Sequence, residues 1–544
     1  MKKFRISAAM IAGFAGAALA TNALAADMSL PTKAPPPPPP PAAPVACTSL
    51  WNFFVTACPL SWYGVTVYGT VDVGGTYQTH GTPFDVNHPV GASYLLGNSA
   101  TNAVGRTPGF GLGPNAMSQS NIGIKWSEPV GGGWSFVGQG ELAFDPYSFL
   151  LANAPQAMWN SIHVPENQQL IPYDSSRWGW LAAQIYTGVS NPTWGTLTFG
   201  RLNTPLTDAV VAYDPMGASY AFSVIGNSGK TCGAGDTETC RWTTAIKYRL
   251  NIGDFRLVVA GQPIGGSNGG YDAYNPNNGA IEGGVGGDFK SLGPGVLSLD
   301  VLGAWEKDAV NWTTTFPGQV LAGGWPVTFP AGGLKATISD NTSIMVVAKY
   351  SFGSWESLPP PVVGKAPSPS GPTGIPLTFY AGYEWIKFTN PSDPQTTSFR
   401  DDGFLFNFVN AQASALSANG TTIANNAFNA LCGKGAGCTD EYFQVIWAGA
   451  KYGITKDLDV IGAYYHYIQN QYLIPSAAQN CTVAASFSQC AGWFDAYSVV
   501  LDWRFLPKWD AYIGTMYSAA FGALANGDIS RNNLATTAGV RFRF

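Results

Sequence analysis

The sequence predicts a transmembrane antiparallel β-barrel of about sixteen strands, with short periplasmic turns and long extracellular loops. Three observations predict it. Only 11% of the 544 residues are charged, while 13% are aromatic and the mean hydropathy is close to zero; soluble domains carry about 25% charged residues. Beyond residue 25 no run of about 18 apolar residues occurs, so helical membrane spans are excluded. Instead, segments of about ten residues alternate apolar and polar positions, as strands do when one face meets lipid and the other a lumen.

The first element is a segment for export. Lys2, Lys3 and Arg5 precede an apolar run from Ile6 to Ala20, and Ala23-Leu24-Ala25 offers the small-residue cleavage pattern, so residues 1–25 read as a signal peptide. The first cysteine is Cys47, too far downstream for a lipoprotein anchor. Residues 26–61 read as a periplasmic leader whose PTKAPPPPPPPAAP stretch, 31–44, favours an extended polyproline II spacer. Residues 62–544 are then the barrel domain.

The strands follow by period two. In GVTVYGTVDVGGTY, Val65, Val67, Val71 and Val73 share one face, and Thr66, Thr70 and Asp72 share the other. The same rhythm gives strands at 63–77, 119–128, 134–145, 177–188, 195–202, 241–251, 253–262 and 280–290 in the first half. The second half gives 295–306, 339–352, 376–390, 440–453, 457–470, 492–506, 508–520 and 534–544. Connections alternate between short ones, such as PVGGG at 129 and SLGPG at 291, and long ones such as 78–118 and 391–439. One connection breaks the alternation: a Pro-rich stretch, 358–376, falls where a short turn belongs, either as a periplasmic excursion or through a misplaced strand. Aromatic residues gather near strand ends, among them Trp62, Tyr63, Trp126, Trp134, Trp178, Trp180, Trp194, Trp503 and Trp509, as rings at a membrane interface do.

All eight cysteines fall into close pairs, Cys47 with Cys58, Cys232 with Cys240, Cys432 with Cys438, and Cys481 with Cys490. In an oxidising compartment these read as local disulfides pinning loops. Metal spacing of the CxxC kind is absent, and neither a metal nor a cofactor is expected. The net charge of −5 argues against a nucleic-acid partner. His80, His88 and His163 lie in expected loops and His466 lies among tyrosines on a strand. No GxSxG or HExxH pattern accompanies them, which weighs against an enzyme. Alternation points Lys125, Lys247, Arg249 and Arg256, with Asp72, towards the lumen.

Three places carry a family resemblance: TVYGTVDVG in the first strand, WGTLTFGR at 194–201 in the fifth, and the terminal Phe544 with alternating Phe542 and Val540. They resemble the Gram-negative trimeric porins, the general diffusion porins of proteobacteria. The resemblance implies an outer-membrane channel for passive diffusion of small hydrophilic solutes and ions, embedded in outer-membrane lipid as a homotrimer. It also implies that the loop after the fifth strand, 203–240, folds back into the barrel. Arg201 and Arg241 then match the family's basic wall, with Asp208 and Asp214 as the facing acids of a constriction. Phe542 and Phe544 match the signal read by the barrel assembly machinery. The family's PEFGG loop segment is missing, and Asn121 stands where a basic residue is frequent. A substrate-selective outer-membrane channel and a surface adhesive barrel share the same fold and stand as alternatives.

Overall fold

In the computed structural model, residues 47–80, 108–147, 183–225, 241–262, 279–290, 292–307, 340–355, 372–389, 441–471, 491–522 and 532–544 are described, with Phe149 and four short strands between 311 and 337. Within these residues the alternation is realised as sixteen long strands. They are β1 (Val65–Gln78), β2 (Asn121–Gly131), β3 (Trp134–Ala143), β4 (Ile185–Asn191), β5 (Gly195–Asn203), β6 (Arg241–Ile252), β7 (Phe255–Gln262) and β8 (Gly279–Phe289). The second half supplies β9 (Val296–Lys307), β10 (Asp340–Ser351), β11 (Leu377–Thr389), β12 (Glu441–Thr455), β13 (Leu458–Gln469), β14 (Gly492–Leu506), β15 (Trp509–Gly522) and β16 (Asn532–Arg543).

Each strand pairs antiparallel with the next, and β16 returns to β1 from Thr70↔Arg543 to Gln78↔Ala535. The sheet therefore closes on itself, which satisfies backbone groups that lipid could not. Turns at the periplasmic end are tight, except between β10 and β11. At the start of β5, Gly195 holds φ at +80°, and a Cβ there would stand 2.2 Å from the Arg249 carbonyl oxygen; only glycine fits.

One expectation changes, and one alternative is decided. The fourth strand occupies Ile185–Asn191 rather than 177–188, and residues 183–184 are not strand. The apolar WGWLAAQIY run draws a sequence reading upstream, whereas the polar YTGVSN carries the actual ladder to β5. The long connection at 358–376 is an insertion within a hairpin, not a lost strand: β10 and β11 are direct neighbours from Asp340↔Thr389 to Ser351↔Thr378. The connection opens with a two-residue pairing of Ser354–Trp355 on Pro372–Thr373; residues 356–371 lie outside the described residues.

Residues 47–62 form helix α1 (Leu50–Val55) and a short strand, Leu60–Trp62, that pairs with Val65–Val67 of β1. The Cys47–Cys58 disulfide closes this segment, with a Cα–Cα distance of 5.2 Å. The other three cysteine pairs lie outside the described residues.

The two faces of the wall differ as the period requires. Outward positions are exposed and apolar, for example Ile122, Ile124, Phe199, Ile246, Val259, Ile344, Val499 and Ile513, with Trp134, Trp194 and Trp503 near strand ends. Inward positions divide by location. Along β9 to β16 many are apolar and buried, including Met345, Val347, Val445, Trp447, Tyr465, Tyr467, Phe494 and Met516, because residues 205–225 lie against them. Two wall glycines permit the close approach: a Cβ on Gly449 would meet Pro215 at 2.4 Å, and one on Gly514 would meet Phe222 at 2.7 Å. The hydrophobic core of this molecule thus sits inside the barrel, between the infolded segment and one side of the wall.

Candidate functional site

The infolded segment begins with helix α2 (Pro205–Tyr213). Its start is written in TPLTD: Thr204 caps the helix by accepting from the Thr207 N–H at 3.2 Å, and Pro205 stands in the first turn, where its fixed φ suits a helix and its missing N–H costs nothing. From the wall, Glu282 on β8 accepts from the Leu206 N–H at 3.0 Å, placing a carboxylate at the positive end of the helix. At the other end Asp214 accepts from the N–H groups of Met216 (3.2 Å) and Ala218 (2.7 Å) and from the Tyr465 hydroxyl (2.7 Å). Burial pushes its carboxyl above the usual range, and the donors on it oppose that push. The Trp447 indole donates to the Tyr213 carbonyl at 3.2 Å. The helix is therefore held at both ends by the wall.

Across from these anchors, the free side of α2 meets charge. Asp208, in the first turn, pairs with both Lys247 and Arg249, which share the inward face of β6. Lys247 is buried, whereas Arg249 is 53% exposed. One strand further, Arg256 on β7 binds Asp300 through two nitrogens at 2.7 and 2.9 Å and Asp288 at 2.8 Å, and also donates to the Tyr213 hydroxyl. Planar two-point pairing of this kind fixes direction as well as charge. Lys349 on β10 completes the ring, with its ammonium 5.4 Å from the centre of the Tyr213 ring. Between α2 and the wall these residues enclose a cavity of about 310 Å³, lined in part by Asp208, Tyr213, Arg249, Arg256, Asp300 and Lys349.

The remaining sequence candidates are placed as follows. Lys125 faces inward on β2, 5.6 Å from the Tyr68 ring centre. Asp72 also points inward but is fully buried: residues 113–120 fold over it, Met117 and Ser118 donate to it at 2.7 Å, and Tyr512 at 2.6 Å. Asp214 is buried beneath the segment, as described. Arg201 is buried near the outer end of β5, opposite Ile185. The backbone of Arg241 pairs with Asn203, and its side chain lies outside the described residues. Strand alternation in the sequence already held Asp288 and Asp300, each on the polar face of its strand; Lys349 and Tyr213 needed the docked helix to gain meaning. His466 pairs with Asp495 at 2.7 Å and Tyr464 donates to the same oxygen. That group sits on the outward face, because the alternating neighbours Tyr465 and Tyr467 are buried inside the barrel.

The chain is thus a closed sixteen-strand barrel with an infolded, charge-facing helix. Residues 7–358 match the Gram-negative porin family. This chain belongs to that family. Among solved structures, the chain is similar to an anion-selective porin from Comamonas acidovorans, at 15% identity over 88% of this chain and 99% of that one, with a TM-score of 0.48. It is similar to OmpT, an outer membrane protein of Vibrio cholerae, at 10% identity over 89% and 99%, with a TM-score of 0.46. It is also similar to OmpF of Salmonella typhi, at 13% identity over 89% and 100%, with a TM-score of 0.42. No curated protein matches the chain. As a Gram-negative porin it is a multi-pass β-barrel of the outer membrane and forms a channel for passive diffusion.

Proposed function

We propose that solutes pass this porin between α2 and the wall of β6 to β9, and that Asp208, Lys247 and Arg249 form the constriction. The observation that carries the reading is a single acid on the infolded helix facing two bases on the opposite strand. The second cluster, Arg256 with Asp288 and Asp300, continues the charged lining. In a narrow pore with low-dielectric walls such charges act at close quarters on each passing ion. The proposal takes Lys247 and Arg249 as the bases of the constriction, a role the family resemblance implies for Arg201 and Arg241. Family membership supports transport as the activity, and the His466–Asp495 pair is on the outward face of the wall, away from this path. Family membership supports a homotrimer and delivery by the barrel assembly machinery.

Recording single channels in planar bilayers tests the reading. A general diffusion channel gives conductance that rises in proportion to salt concentration. Saturating current that a specific small solute blocks would make the protein a substrate-selective channel, and absence of any conductance from a folded barrel would favour the adhesive alternative.

A further inference from the structure

The segment before β1 carries no Asp, Glu, Lys or Arg between Lys33 and Asp72, yet much of it is folded and one side is exposed. Its packed side is well defined. Phe53 meets Phe542 and Phe544 edge-on, with ring centres 5.7 and 5.5 Å apart, and Phe54 meets Phe542 at 5.5 Å. The Trp509 indole donates to the Phe54 carbonyl at 3.0 Å, and the Lys508 ammonium donates to the carbonyls of Phe53 (2.9 Å) and Cys58 (2.8 Å). Phe542 faces outward, since its neighbour Arg541 points inward to Asp510 and Ser118. The helix α1 therefore lies on the outer surface of the barrel, at the periplasmic end of the β1–β16 seam.

The other side of the segment has no protein partner among the described residues. Leu50 is 78% exposed, Trp51 76%, Trp62 56% and Tyr63 98%. Through Phe54, the segment joins the outward aromatic band of Trp509 on β15 and Phe505 and Trp503 on β14, with successive ring centres 6.5, 6.4 and 5.6 Å apart. We propose that residues 47–63 are an interfacial anchor whose exposed side chains, Leu50 and Trp51 above all, seat in the lipid of the periplasmic leaflet. The occupant is lipid because the patch is uncharged, rich in tryptophan and tyrosine, and contiguous with a lipid-facing surface; such rings partition to the boundary between headgroups and acyl chains. The disulfide and the ladder of Leu60–Trp62 on β1 fix the patch in place, so it is presented as a rigid element.

The test uses the full-length protein in native outer membranes, carrying the photoreactive residue benzoylphenylalanine at position 51 and, in a second protein, at position 50. Ile513 on the lipid-facing wall and Val211 on the lumen side of α2 serve as reference positions. After irradiation, the anchor predicts a phospholipid mass adduct at 50 and 51 as frequent as at 513, with none at 211. Crosslinks joining two copies of the chain would overturn the proposal by making the patch a subunit interface. Failure to capture lipid at both positions, with 513 capturing it normally, would overturn it by showing the patch in water.

Discussion

At Asp208 one carboxylate faces two cations, and that imbalance sets the first expectation. Replacing Asp208 with Asn leaves Lys247 and Arg249 without their acid, whereas Arg249→Ala removes the more exposed base and leaves Lys247 paired. A unit charge is worth about 1 kcal/mol at 4 Å in water, and hence roughly a fivefold change in a permeability ratio. Asp208→Asn should thus shift the reversal potential in a salt gradient towards anions, and Arg249→Ala towards cations. The effect should fade in concentrated salt, as screening shortens from about 8 Å at physiological ionic strength to about 3 Å at 1 M. Unchanged reversal potentials in both variants would move the constriction elsewhere. Arg256 behaves differently: with Asp288 and Asp300 bound to it, its removal exposes two acids together and should favour cations more strongly than Arg249→Ala.

The helix α2 works as an element only while it is docked, and its docking depends on shape. Thr204, Glu282, Trp447 and Tyr465 fix its ends, but Gly449 and Gly514 decide how near the segment that follows can come. Gly449→Val or Gly514→Leu places side-chain atoms where Pro215 or Phe222 stands, an overpacking that costs about 1–3 kcal/mol. A Cβ at Gly449 would also stand 2.4 Å from the Gly462 carbonyl oxygen, and one at Gly514 2.7 Å from that of Val499, so the ladder shifts locally at these rungs while the rest of the paired wall is untouched. The expected outcome is a folded, heat-modifiable barrel whose single-channel conductance is larger and noisier than the parent's. A parent-like, quiet channel would show that the segment holds its place without these close contacts.

For the whole molecule the critical join is β1 with β16. Phe544 completes it: Gly69 and Phe544 exchange N–H to carbonyl bonds at 3.0 and 2.9 Å, and Phe53 packs on the Phe544 ring. Deleting Phe544 removes the last rung of the seam, so less folded protein should reach the outer membrane, read as loss of the heat-modifiable band. Beside the seam, the Cys47–Cys58 bond closes a short loop, a restraint worth about 3 kcal/mol in chain-entropy terms. Replacing both cysteines with serine should lower the temperature at which the band shifts while leaving conductance unchanged. An unaltered transition temperature would assign the segment no part in holding the seam.

Period-two alternation, charge depletion and the rhythm of short and long connections determined the barrel and its strand number. These are local consequences of a strand standing between lipid and water, so each segment carries its own signal. The inward direction of Lys125, Lys247, Arg249 and Arg256 followed from the same parity. Tertiary structure alone decided which inward residues are open. Asp72 and Asp214 have the same polar character in sequence as Asp208, yet segments distant along the chain bury the first two and leave the third facing its bases. The apolar inner faces of β9 to β16 likewise look like ordinary lipid-facing positions until residues 205–225 are laid on them. Parity gives a side chain its direction, but its exposure depends on what else fills the lumen, and that is a property of the closed fold.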